Sequence, residues 1–139
     1  MKSDIDIKDD IYFVIKGSAL HRAVTGKLSK TLRPANSYKE DIVISVLANN
    51  CAQLQEAYVN VNIYVRDNNK DGQNEENSIR LRELCSLSRD LFERGYRDDF
   101  RYELSSQRVL AIDGGGEHII NNKILYQQIN ETYYGNRLG

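Results

Sequence analysis

The chain has 139 residues, 19 of them basic and 20 acidic, for a formal net charge of −1, and it is 40% hydrophobic and 28% charged. That length and makeup suit one domain around one core, while the charge balance argues against non-specific nucleic-acid binding, which needs a positive excess or stripe. The longest apolar runs, IYFVI and IVISVL, are far too short to span a membrane, and the polar, acidic start MKSDIDIKDD lacks the basic-then-apolar order of a secretion signal, so the expectation is an intracellular protein without a membrane partner.

Ser3 to Lys16 reads as a helix. Ser3 and Asp4 can cap it, and Asp6 places a negative charge in its first turn. Ile7, Ile11, Val14 and Ile15 share one face, and Gly17 ends it. Ser18 to Val24 adds a short helical turn closed by Gly26. Lys27 to Leu32 reads as a short strand, residues 33–41 as a polar loop around Pro34, and Ile42 to Leu47 as a strand followed by a turn at ANN, 48–50.

The clearest signal lies in Gln53 to Val65. From Tyr58 onward it alternates with period two: Val59, Val61, Ile63 and Val65 on one face, Tyr58, Asn60, Asn62 and Tyr64 on the other. The first set feeds a core. The second set, two tyrosines around two asparagines, is amphipathic surface suited to a partner or a second layer, and supplies the candidate oligomer-interface residues.

RDNNKDGQN, 66–74, reads as a polar loop. A helix follows from about Glu75 to Arg94, with Asn74 as its cap and Glu75 and Glu76 at the positive end of its dipole. Leu81, Leu84, Cys85, Ser88, Leu91 and Phe92 form its apolar face, and Gly95 stops it. Phe100 to Ile112 and Glu117 to Glu131 read as two strands joined by a hairpin at DGGG, 113–116. An irregularity is expected near Ser105–Ser106 and a kink at Asn121–Asn122. The expected fold is therefore α+β, in the order α-β-β-β-α-β-β: an antiparallel sheet of about five strands with helices on one face. Residues 1–131 form a single domain and 132–139 a C-terminal tail.

Candidate chemistry is sparse. Asp67, Asn69, Asp71 and Gly72 match the first half of a calcium loop, which offers the alternative reading of a small calcium-dependent binding module. Position twelve, however, is Ser78 rather than a bidentate Glu, and a strand rather than a helix precedes the loop, so a solvated turn is preferred and no metal is assigned. Gly114–Gly116 precede a strand, not the helix that a phosphate cradle requires. Cys51 and Cys85 are too few for a disulfide framework, and Cys85 falls on the apolar helix face. His21 and His118 have no ligand-spaced partners. A nucleophilic cysteine meeting one of them in space is the remaining enzymatic reading. No catalytic residue and no cofactor are assigned.

From Ile11 to Val65 the order is a helix, the turn ALHRAVTGKL with Val24, Gly26 and Leu28 spaced as V-x-G-x-I, then RP-ANSYKEDIVISVL and the strand YVNVNIYVRD, followed by a polar loop and a helix. This order resembles the small tail-terminator and tail-completion (head-tail joining) proteins of long-tailed bacteriophages, including copies carried as prophages. The resemblance implies a non-enzymatic virion assembly protein, assembled in the bacterial host cytoplasm. It implies a homo-oligomeric ring, commonly a hexamer, that caps the tail tube and joins it to the neck or connector, without specific nucleic-acid binding. A ring needs a heterologous interface repeated until it closes. Sheet edges and the face bearing Tyr58, Asn60, Asn62 and Tyr64 are the expected places for one, with loops 33–41 and 66–74 contacting neighbours along the ring axis.

Overall fold

The computed structural model describes residues 1–50 and 54–129. Its helices are α1 (Asp4–Ile15), α2 (Ala19–Ala23) and α3 (Ser78–Phe92). Its strands are β1 (Leu28–Ser29), β2 (Ile42–Asn50), β3 (Glu56–Arg66), β4 (Asn68–Lys70), β5 (Gln73–Glu75), β6 (Arg94–Arg97), β7 (Phe100–Ala111) and β8 (Glu117–Gln128). The expected α+β class holds, but the strand count and order differ. The main sheet has six strands in the order β1-β2-β3-β8-β7-β6, and β4 and β5 form a separate ribbon.

α1 begins where its capping chemistry places it. The Ser3 hydroxyl accepts from the Asp6 amide at 3.1 Å, and the Asp6 carboxylate accepts from the Ser3 amide at 3.0 Å, a reciprocal capping box. Its buried face is Ile7, Ile11, Val14 and Ile15. α3 buries Leu81, Leu84, Cys85, Ser88 and Phe92, the expected stripe, with Leu91 partly buried. Both helices join one core with Ile42, Ile44, Val59, Val61, Ile63, Ile120, Ile124 and Tyr126, so they lie on the same side of the sheet. Each such side chain contributes roughly 1.5–3 kcal/mol on burial, and this one-sided core sets the register of β3.

Several expectations fail for physical reasons. First, the sheet is not wholly antiparallel: β1 is only two residues long and pairs in parallel with β2, Leu28 beside Ile42. The loop after Ser29 returns the chain to the end of the sheet where β1 began, and Arg33 is tied there to Asp41 at 2.8 Å. Second, residues 66–74 are not a plain loop. Asp71 and Gly72 both take positive φ, 54° and 76°, the geometry that the D-G pair favours in a two-residue hairpin, and β4 and β5 extend from it. Third, α3 consequently starts at Ser78, with Asn77 rather than Asn74 accepting from the Arg80 amide at 3.2 Å. Fourth, Gly95 does not stop the helix. It lies in β6, where an added Cβ would sit 2.2 Å from the Tyr102 ring.

Residues 48–50 continue β2 past a bulge at Leu47 instead of turning. β7 carries a bulge between Leu104 and Ser106, at the expected irregularity, whereas β8 pairs without a register shift through Asn121 and Asn122. The DGGG hairpin forms, with Gly114, Gly115 and Gly116 all at positive φ.

Candidate interaction surface

The helices cover one face of the sheet and leave the other to the alternate residues of each strand. On β3 these are Tyr58, Asn60, Asn62 and Tyr64, all half-buried, as their period-two alternation dictates. Their neighbours come from β2 and β8: Asn62 lies between Val43 and Asn121, Asn60 between Ser45 and Lys123, and Tyr58 between Ala48 and Leu125. The structure thus brings the four predicted residues together with partners that sequence reading missed.

Those partners interlock. The Asn121 side-chain amide donates to Asn62 Oδ1 at 2.7 Å and to Asn60 Oδ1 at 3.2 Å, one directly across the ladder and one diagonal to it. The Lys123 ammonium lies 4.5 Å from the Tyr58 ring centroid, and the Arg33 guanidinium 4.0 Å from that of Tyr64. Cations over aromatic faces at this range contribute about 0.5–1 kcal/mol each at exposed sites. The outcome is a polar, cross-braced plate rather than a pocket.

Arg33 is the organising residue at one end of this plate. Its guanidinium is bidentate to Glu117, at 2.8 and 2.6 Å, and donates to Asp41 at 2.8 Å and to the Lys39 carbonyl at 2.8 Å. Asp41 is only 1% exposed. Burial alone pushes its carboxyl up, but hydrogen bonds from Arg33, the Ser37 hydroxyl and the Lys27 amide outweigh this and hold it below the ordinary range. The Glu117 contact is the main cause raising Arg33 further. Loop 33–41 is therefore locked to β2 and β8 and holds Tyr64 by stacking. No local pattern marks Arg33, because Glu117 lies 84 residues away.

A second buried network joins α3 to the sheet. The Gln107 side-chain amide donates to the Cys85 carbonyl at 3.0 Å and to Asn122 Oδ1 at 2.8 Å. Asn122 faces the core, and its Nδ2 is the buried side-chain atom without a partner among the described residues. At the N-terminus, Lys2 bridges Asp10 and Asp99 at 2.6 and 2.8 Å, and the Tyr126 hydroxyl donates to Asp10 at 2.6 Å.

The remaining candidates are engaged elsewhere. Asp67, first of the calcium-like residues, lies 2.6 Å from His118 Nδ1, and its loop is the β4–β5 ribbon. Among the described residues no three His, Cys, Asp or Glu side chains cluster as metal ligands would. His21 Nδ1 accepts from the Gly17 amide at 2.9 Å. The Cys85 thiol is buried beneath α3, and burial pushes it up, away from the thiolate that nucleophilic chemistry needs. Cys51 lies outside the described residues. A cavity of about 280 Å³ beside Asp67 is lined by Tyr38, Arg66, Asn69, Asn74, Gly115 and Glu117. No helix among the described residues is long and apolar enough to cross a membrane. Comparison with protein-family models and with curated proteins gives no match.

Proposed function

We propose that this chain is a structural assembly subunit of a phage or prophage tail, a ring protomer that terminates the tail tube and joins it to the neck. One observation carries the reading: among the described residues, the main sheet is left open on both flanks. β1 pairs with β2 only at Ile42 and Val43, and β6 pairs with β7 only from Phe100 to Glu103. Unpaired strand edges are sites where further chain adds, and past the two short flanking strands no outer strand borders residues 44–50 of β2 or 104–111 of β7 among the described residues. The braced plate of Tyr58, Asn60, Asn62 and Tyr64 supports the same reading, being a rigid, part-polar surface of the kind that docks against protein. The resemblance of the sequence's element order to tail-terminator proteins supports the tail as the proposed site of action.

The test is to delete the coding sequence from an inducible prophage and examine its particles by electron microscopy. The expected result is tails of irregular, excessive length and unjoined heads, with the tagged chain restoring uniform tails and labelling their head-proximal end. Normal particles from the deletion, or absence of the chain from purified virions, would overturn the proposal.

A further inference from the structure

Among the described residues, the two open flanks of the sheet are complementary steps. Following the registers across the sheet, Leu28, Ile42, Ile63, Ile120 and Val109 lie on one level. Asn50, Glu56, Gln127, Arg101 and Tyr96 lie on another. The two levels are seven residues apart along β3, about 24 Å at roughly 3.4 Å per residue. Each level is five strands wide, but the lower row begins at β1 and stops at β7, whereas the upper row begins at β2 and stops at β6. The sheet is a parallelogram, with a notch below β6 on one flank and a notch above β1 on the other.

We propose that copies of this chain join side by side by fitting these notches, so that β1 of one copy and β6 of its neighbour share a single strand row. This rests on the ring reading above and names its contact. Strand directions permit it. With all copies oriented alike, β7 runs antiparallel to the incoming β1, and β6 runs parallel to the incoming β2. The two short strands do not collide: β6 lies opposite Phe100–Glu103, and the incoming β1 falls opposite Arg108–Val109.

Side chains on the free flanks suit the fit. Val109 is 41% exposed and would sit beside Leu28 of the neighbour, an apolar cross-strand pair on the helix side. Tyr96, 66% exposed, would cover the neighbour's Asn50, and the exposed Leu47 at the β2 bulge lies on the same flank. β7 is regular from Ser106 to Ala111, with none of the bulges that blunt an edge. A contact using a different surface on each copy is heterologous, as a ring requires, and the notches fix its axial level so that it closes without climbing.

Cysteine pairing tests this on the full-length chain with Cys51→Ser as the parent. One variant carries Tyr96→Cys and Asn50→Cys, a second Val109→Cys and Leu28→Cys. Within one chain the members of each pair are four strand spacings apart, about 19 Å, too far for a disulfide. Mild oxidation should give a ladder of linked dimers, trimers and larger species from both double variants, and monomer from the single Tyr96→Cys, Asn50→Cys and Leu28→Cys variants. Cross-linking of Val109→Cys to itself would show a two-fold edge pairing and overturn the notch fit. Oligomers by mass measurement with neither ladder would overturn the fit but leave the ring reading standing. A chain that stays monomeric at high concentration and yields no ladder overturns the fit, and the prophage deletion then decides whether the tail role falls with it.

Discussion

Replacing Arg33 by alanine isolates the residue that ties loop 33–41 to the sheet. The substitution leaves the Asp41 carboxylate, 1% exposed, with only the Ser37 hydroxyl and the Lys27 amide, and leaves Glu117 without its bidentate partner. Breaking a buried pair costs roughly 3–5 kcal/mol. The two surviving bonds to Asp41 place this case at the low end, about 3 kcal/mol, or about 10 °C in melting temperature at roughly 3 °C per kcal/mol. The cost has a pH signature. Asp41 is depressed in the folded state, so the stability it contributes is complete above its unfolded value of about 4 and is lost as pH falls through its lower folded value. Urea unfolding of the parent and Arg33→Ala from neutral to acid pH should therefore show two curves converging at the acid end. Arg33→Lys should recover only part of the loss, since an ammonium keeps the charge but neither the fork nor the stacking on Tyr64. A neutral-pH cost below about 1 kcal/mol, or one that persists undiminished in acid, would refute the reasoning.

Gly26→Ala should cost at least about 2 kcal/mol by chemical denaturation, because a Cβ there would lie 2.3 Å from Asp41 Oδ1 and 2.6 Å from the Glu40 carbonyl carbon. Gly114→Ala, which meets nothing within 4 Å, should cost only its left-handed backbone strain, about 1–2 kcal/mol. Tyr126 is raised by burial and by its bond to Asp10. The unfolded chain thus ionises first, and stability present below about 10 falls as pH rises beyond it. Tyr126→Phe should flatten this alkaline decline in a series of melting curves. Millimolar calcium should leave the melting temperature unchanged, with Asp67 held by His118 and Asp71–Gly72 forming a two-residue turn. A rise would show a ligand bound only by the folded chain.

What the sequence determined by itself is what local physics governs. The Ser3 cap, the stripes of α1 and α3, the alternation of β3 and the DGGG hairpin follow from side-chain period and backbone freedom within a few residues, and all four are present. The plate of Tyr58, Asn60, Asn62 and Tyr64 was legible for the same reason. The tertiary structure alone decided the rest. Arg33 with Glu117, and Asn121 with Asn60 and Asn62, meet although the partners lie 59 to 84 residues apart. The ends of β2 and α3 also moved, because a bulge at Leu47 and the pairing of Gln73–Glu75 with β4 outweigh the turn and helix preferences of those residues. The parallel β1 and the stepped flanks belong to this second class. They depend on where each chain reversal returns, and only the assembled sheet determines that.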